Sequence, residues 1–365
     1  MTVRLAVYVD SAIFGGAERG LENLLGALGP HVEVTVLGTD PVVVRRMAQR
    51  RPGSRLRVVP AVRGKWDLRG MVRFARVLSA ARPDVLQITL ATPWQCRHET
   101  LVGLLTPGVR VVLVENLPLE HGNRWVRGFK RALSRRVDAH VAVGRGAARE
   151  VEQQVGLPQG SVRTIELAVE EFEAVRDGEP RPRPRIGTTA RLDRQKGIDV
   201  LLRALPALPD VDVEIVGDGP EREPLERLAR ELGVDGRVTF AGWSERARDW
   251  LGRWDAFVLP SRYEGLPLAI LDALLASLPV VAADVGSVRE AVVHEETGLL
   301  VAPDDVAGLA AALNRVLADR TLAERMGRRA RVVALERFTA GSMARRYEAL
   351  YEELLSDDRR RRRLP

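Results

Sequence analysis

Three short stretches place cations, carboxylates and glycines where they could handle a phosphorylated ligand. In TTARLDRQKGIDVLLRAL (188–205), Arg191 closes a β-rich run and Lys196 lies five residues on, in a loop before a helical period. Cations at the carboxyl end of a sheet strand sit where open α/β sheets bind ligands. They suit a diphosphate and can neutralise a leaving group without a metal; the plain alternative is two solvated charges. In PSRYEGLPLAILDALLASLPVVAADVG (260–286), Glu264 and Asp272 are eight residues apart, with Gly265 at a turn and Pro267 in the first helical turn, where proline is favoured. The amides of Gly265, Leu266 and Leu268 are expected to point at an anion, with the two carboxylates gripping hydroxyls on either side. Alternatively Glu264 only complements the helix dipole and Asp272 lies on a helix surface. In IFGGAERG (13–20), Gly15 and Gly16 follow a strand and open a helix, which lets a ligand approach the backbone or simply makes a tight turn.

The elements that must carry these residues alternate regularly. Candidate strands are 3–9, 32–38, 55–60, 84–90, 110–115 and 139–144, separated by amphipathic stretches. Apolar runs of this length between helical periods argue for parallel strands joined by crossover helices. Residues 171–185, EFEAVRDGEPRPRPR, hold three prolines and no apolar period and read as a linker. The alternation then restarts, with candidate strands at 185–192, 211–219, 237–242, 256–261, 278–286 and 298–303. The expected fold is α/β, with two Rossmann-like doubly wound domains facing a cleft, 1–170 and 186–339. An amphipathic helix over 340–356 is expected to return to the first domain, and 357–365 is expected to be a disordered basic tail.

Composition narrows the function classes. Of 365 residues, 45% are hydrophobic and 29% charged, which is ordinary for a globular protein. No apolar run approaches the ~18–20 residues of a membrane span, and the first residues lack the pattern of a cleaved signal. With Cys96 as the one cysteine, no intrachain disulfide framework is possible, which fits a cytoplasmic protein. Residues 1–170 carry 25 basic and 15 acidic side chains, whereas the whole chain is only +7, so the first half is basic and most of the rest acidic. Only Lys65, Lys130 and Lys196 are lysines; the arginine excess reads first as genome composition. No zinc-finger, RNP or basic-zipper context supports nucleic-acid binding. In RWVRGFKRALSRRV (124–137), basic residues mix with Trp125, Phe129 and Leu133. Such a helix suits an anionic membrane surface, or packs its apolar side inward.

Other chemistries lack their residues. His31, His98, His121, His140 and His294 are scattered without a zinc spacing, so no metal is expected. Asp210 and Asp212 form an Asp-x-Asp that precedes a strand and reads as a turn. The Gly217-Asp218-Gly219 and Gly144-Arg145-Gly146 runs have Arg222 and Arg149 in place of the third glycine of a dinucleotide fingerprint.

The three motifs in this order, with VEIVGDGP, VTFAGW, TGLLVAPDD and RFTAGSMARRYEALYEELL, resemble glycosyltransferase family 4. The resemblance is dense over 186–355 and thinner over 1–170. It implies a GT-B fold and a retaining, metal-independent transferase that moves a sugar from a nucleotide diphosphate sugar to a hydroxyl acceptor. That acceptor is a glycan, a lipid-linked compound or a small metabolite. By this resemblance Arg191 and Lys196 hold the donor diphosphate and Glu264 contacts the donor sugar. Asp272 takes the place of the acid that binds the ribose, and Gly265 and Leu266 offer amides. Gly15 and Gly16 belong to the loop that closes on the donor, and Trp243 lies where the base is cradled. The expected location is cytoplasmic, peripheral on the inner face of the membrane through 124–137.

Several positions depart from the family pattern. Asp272 stands where Glu is usual, Ala190 where Gly often precedes the arginine, and IELAVE (165–170) replaces the usual interdomain stretch. The strand that often ends in a histidine near the reacting sugar ends here in Glu115-Asn116. Glu115 is expected to hydrogen-bond a sugar hydroxyl, to act as an acceptor base, or to be a buried acid paired with an arginine; His98 and His121 are further candidates. The same architecture serves nucleotide-sugar 2-epimerases, and a non-catalytic nucleotide-sugar-binding partner subunit is the reading from another class.

Overall fold

The computed structural model describes all residues except 1, 13, 63–66, 91–94, 118–123, 176–181 and 362–365, and side chains at 124 and 357–361. The chain divides into two compact units, Met1–Glu170 with Ala340–Pro365, and Glu171–Thr339.

The first unit alternates strand and helix throughout. Its elements run β1 (Val3–Val9), α1 (Gly16–Ala27), β2 (Val32–Gly38), α2 (Pro41–Gln49), β3 (Arg55–Val58), α3 (Leu68–Ala81) and β4 (Val85–Leu90). They continue with α4 (Arg97–Leu105), β5 (Arg110–Glu115), α5 (Arg124–Ser134), β6 (Ala139–Ala142), α6 (Arg145–Val155) and β7 (Arg163–Thr164). The sheet is parallel, in the order β3-β2-β1-β4-β5-β6-β7. Strands buried on both faces read as near-continuous aliphatic runs, as VRLAVYV and RVVLVE do. Val7, Val9, Val112 and Val114 face one layer of helices. Tyr8, Ile88, Leu90 and Leu113 face the other, with Phe74 and Leu78 of α3.

The second unit repeats the scheme. It runs β8 (Arg185–Thr189), α7 (Ile198–Ala204), β9 (Asp212–Val216), α8 (Arg222–Glu231), β10 (Val238–Gly242), β11 (Ala256–Leu259) and α9 (Leu268–Leu275). It then continues with β12 (Val280–Ala283), α10 (Val288–Ala291), β13 (Gly298–Val301), α11 (Val306–Ala318) and α12 (Arg320–Arg337). Its parallel sheet has the order β10-β9-β8-β11-β12-β13. The strand order therefore reverses between β8 and β11, the switch point at which such sheets form a ligand crevice.

The final helix, α13 (Ala340–Arg361), belongs to the first unit. Its Met343, Tyr347, Leu350, Tyr351 and Leu354 join the apolar layer around α1. The Tyr351 hydroxyl donates to Gln87 Oε1 at 2.6 Å, inside that core.

Several expectations need correction. The helix does not stop at 356 but continues to Arg361; arginine is a good helix former and complements the dipole in a last turn. The two-residue strand β7 has no apolar run to announce it. Arg185, assigned to the linker as well as to a strand, begins β8, while 176–181 of that linker lie outside the described residues. Pro267 is the residue that caps α9, one position before its first turn.

Candidate active site

The carboxyl edge of the second sheet gathers the strongest of the expected residues. Glu264 lies in the loop between β11 and α9, and Lys196 in the 3-10 turn Arg194–Lys196 between β8 and α7. Lys196 Nζ lies 2.6 Å from Glu264 Oε1, to which the Ser261 hydroxyl also donates at 2.8 Å. Gln195 Nε2 donates to the Tyr263 carbonyl at 3.0 Å and to Glu264 Oε2 at 3.4 Å. Glu264 is thus buried, yet both of its oxygens are satisfied by donors from two loops.

Arg262 fastens those loops together. Its guanidinium forks onto Asp199 with two 2.8 Å bonds and donates to the Arg194 carbonyl at 2.9 Å, and its Nε lies 2.8 Å from Asp304. Its amide donates to the Gln195 carbonyl at 2.8 Å. Such planar forks fix geometry as well as charge. The Asp199 partner, chiefly by hydrogen bonding, raises the Arg262 pKa above its ordinary value. Two glycines permit the close approach. Gly197 has φ +63, and a Cβ there would lie 2.0 Å from the Pro260 carbonyl oxygen. Gly286, after β12, has φ +53, and its Cβ would lie 1.8 Å from the Glu264 carbonyl oxygen. The amide of Ser287 donates to the Gly265 carbonyl at 3.0 Å, so this loop props the Glu264–Gly265 turn from behind.

Arg191 stands apart from that cluster as an exposed cation. It pairs with Asp193, Nε to Oδ2 being 2.6 Å. Its loop is laced to the loop after β9: the Leu192 amide donates to the Asp218 carbonyl and the Glu221 amide to the Leu192 carbonyl, both at 2.9 Å. The Gly217-Asp218-Gly219 run, which is not a dinucleotide fingerprint, therefore supports the Arg191 loop. Gly265 and Leu266 are buried beside Glu264, at the entry to α9. Asp272 is buried on α9 and paired with Arg248, whose Nε lies 2.9 Å from Asp272 Oδ1. Trp243, just after β10, is 66% exposed.

The first unit holds the remaining candidates. Gly15 caps α1, and its amide donates to Glu18 Oε2 at 2.9 Å; Gly16 has open space where a side chain would be. Glu115 ends β5 but does not face solvent. Its Oε1 lies 2.6 Å from Lys130 Nζ of α5 and 2.9 Å from His140 Nε2 of β6, and the side chain is wholly enclosed. Burial alone would push its pKa up. The Lys130 charge and the His140 hydrogen bond outweigh that and hold it down at about 2. The expectation of an acceptor base at Glu115 is corrected: a carboxylate so held is a poor proton acceptor at neutral pH. Of the buried-acid alternative, the partners are a lysine and a histidine instead of an arginine. His98 is half-buried at the start of α4, and His121 lies outside the described residues.

Sequence reasoning missed Ser261, Gln195, Arg262 and Arg248. Ser261 and Arg262 lie inside the quoted PSRYEG run, where a hydroxyl and a cation next to an acid were the available signal. Arg248 had none. Among the described residues, no group of three or more His, Cys, Asp and Glu side chains could hold a metal ion.

Comparison with known proteins defines the class. A family described as "Glycosyltransferase Family 4" matches residues 14–171, and one described as "Glycosyl transferases group 1" matches 170–333. The lipopolysaccharide core biosynthesis mannosyltransferase LpsB of Rhizobium meliloti is 32% identical over 270 residues, covering 70% of this chain and 75% of that protein. The glycosyltransferase LpsE of the same organism is 33% identical over 168 residues, so the match spans 49% of its length. Among solved structures, Anabaena Alr3699/HepE in complex with UDP superposes with a TM-score of 0.82 at 20% identity, over 97% of this chain and 100% of that one. The chain belongs to glycosyltransferase family 4, and its fold is GT-B.

Proposed function

We propose that this chain is a retaining glycosyltransferase that moves a sugar from a nucleoside diphosphate sugar to a hydroxyl acceptor without a metal. The observation that carries this reading is the cluster at the β8/β11 switch point. There Lys196, Ser261 and Gln195 converge on Glu264 beside the Gly265–Leu266 turn, with Arg191 on the adjoining loop. Lys196 and Arg191 neutralise charge growing on the departing diphosphate, and the turn amides add hydrogen bonds. Glu264 orients sugar hydroxyls. Attack on the same face as the leaving phosphate, without an enzyme nucleophile, is the preferred route. The acceptor is a glycan, a lipid-linked compound or a small metabolite.

Melting of the protein with UDP, GDP and ADP, in the presence of EDTA, tests the donor half. A ligand at 100 times its Kd adds about 2.7 kcal/mol. One nucleotide should raise Tm, and Arg191→Ala or Lys196→Ala should abolish the rise. No rise with any nucleotide sinks the donor reading, and a rise that requires added metal sinks its metal-free form.

The same reading places the protein in the cytoplasm, against the inner membrane face through α5. Trp125 is 77% and Phe129 42% exposed, among the exposed Arg127, Arg131, Arg135 and Arg136, while Leu133 and Lys130 face inward. No helix among the described residues is long and apolar enough to cross a membrane. An exposed aromatic pair within a basic face suits an anionic lipid surface.

A further inference from the structure

We propose that Asp193 is a positioning residue, which holds the Arg191 guanidinium ready for the donor diphosphate. This rests on the donor reading above. The backbone around Arg191 is clamped. The Ala190 amide donates to the Val216 carbonyl at 3.0 Å, and the Leu192 amide to that of Asp218 and the Asp193 amide to that of Arg191, both at 2.9 Å. Gly217 lets the neighbouring loop close in, since a Cβ there would lie 1.8 Å from the Ala190 carbonyl oxygen. Only the side chain keeps its freedom, with 59% of it exposed. A long cationic side chain with many rotamers gives up that freedom on binding unless something already holds it. Among the described residues, Asp193 is the one side chain that does.

Asp193 grips the guanidinium by one edge. Its Oδ2 accepts from Arg191 Nε at 2.6 Å and also pairs with Nη2. A guanidinium has five N–H donors, so the Nη1 side remains for a phosphate while the Nε edge stays on the acid. Lys196 needs no such holder, being mostly buried on Glu264. The fold asks little of the Asp193 side chain. Its backbone carbonyl accepts the Lys196 amide at 3.2 Å, a link that survives any substitution, and its carboxylate caps no helical turn. The second oxygen, Oδ1, is buried without a hydrogen-bond partner. An orphaned buried acceptor lowers stability, and a largely exposed ion pair returns little. What the acid contributes is the placing of Arg191.

The test is a double-mutant cycle read by isothermal titration in EDTA. The probe is the tightest binder among UDP, GDP and ADP, taken to millimolar concentration so that weakened sites still report. Asp193→Ala should bind it about 2- to 10-fold more weakly, the cost of immobilising one rotamer-rich side chain. Charge alone predicts the opposite sign, because losing an acid makes the site more positive. In an Arg191→Ala background the further change Asp193→Ala should weaken binding no more. The unliganded Tm of Asp193→Ala should equal or exceed that of the wild type. Equal or tighter binding by Asp193→Ala overturns the inference. So does a loss that persists without Arg191, or one that comes with a Tm several degrees below wild type, since either puts Asp193 in the fold or on the ligand. Wild-type affinity in Arg191→Ala overturns it while leaving the Lys196–Glu264 part of the donor site standing. Failure of every nucleoside diphosphate to bind the wild type removes the donor reading itself, and this inference with it.

Discussion

Gly286 offers a sharp test of how the Glu264 turn is positioned. An alanine there faces two costs. At φ +53 a non-glycine residue is strained by roughly 1–2 kcal/mol. Its Cβ would also stand 1.8 Å from the Glu264 carbonyl oxygen, where real contacts stay beyond 3.0 Å, and a tight 3.3 Å from that of Gly265. The obstacle is backbone on both counts, so the turn must retreat by about 1 Å. A shift of that size takes a turn amide out of hydrogen-bonding range of a phosphate oxygen. Each such bond to a charged group contributes about 1.5–3 kcal/mol, so the nucleoside diphosphate should bind 10- to 100-fold more weakly for each bond lost. Gly233→Ala is the matched control. It lies in the same unit at φ +67, with nothing within 4 Å of its Cβ, and so carries the strain without the collision. Titration calorimetry of both variants reads the difference. If the two bind within about threefold of each other, the loop after β12 does not position the turn and the reasoning fails.

Other outcomes follow from the same geometry. Arg191→Ala or Lys196→Ala should slow sugar transfer by about 10²–10³-fold, as loss of comparable oxyanion stabilisers does; steady-state rates from a purified donor report it. Glu115, held at about 2 against an ordinary 4.5, adds stability that is fully present above pH 4.5 and lost as pH falls toward 2. Glu115→Gln should therefore flatten the acid limb of a Tm-against-pH curve, and an unchanged limb would show that the pair is not what titrates. Lys130→Met strands that carboxylate and should cost about 3–5 kcal/mol in urea unfolding at pH 7, a loss that adding Glu115→Gln should partly restore. Co-sedimentation with anionic vesicles should fall for Trp125→Ala and with rising salt; equal pelleting with neutral vesicles would dismiss the electrostatic part of the membrane reading.

The doubly wound halves were legible because buried parallel strands are written as unbroken aliphatic runs. β1, β2 and β5 begin and end where VRLAVYV, VEVTVLG and RVVLVE do. Strands of the second half came out shorter than read, since apolar residues after a strand also line the packed loops, as in 278–286 around β12. The site was legible as positions but not as pairings. Lys196 and Glu264 stand in separate motifs 68 residues apart, and meet because β8 and β11 are neighbouring parallel strands. For Glu115 the buried-acid alternative holds but its partners are not legible in sequence, for the same reason: they come from the next helix and the next strand, and a lysine on an Arg-rich helix gives no sign that it points inward. Arg248 and Asp272, 24 residues apart, follow the same rule.

The return of α13 has a consequence for biosynthesis. Tyr347, Leu350, Tyr351 and Leu354 complete the apolar layer beneath β1, β4 and β5, but they are made after every residue of the second unit. At roughly 5–20 residues per second, the ribosome takes on the order of 10–30 s to travel from Glu170 to this helix. The second unit is contiguous in sequence, so its packing waits for no segment made after it. The first must wait with one greasy flank open, so the half made first is the half finished last. That interval is when a nascent chain has most need of a chaperone.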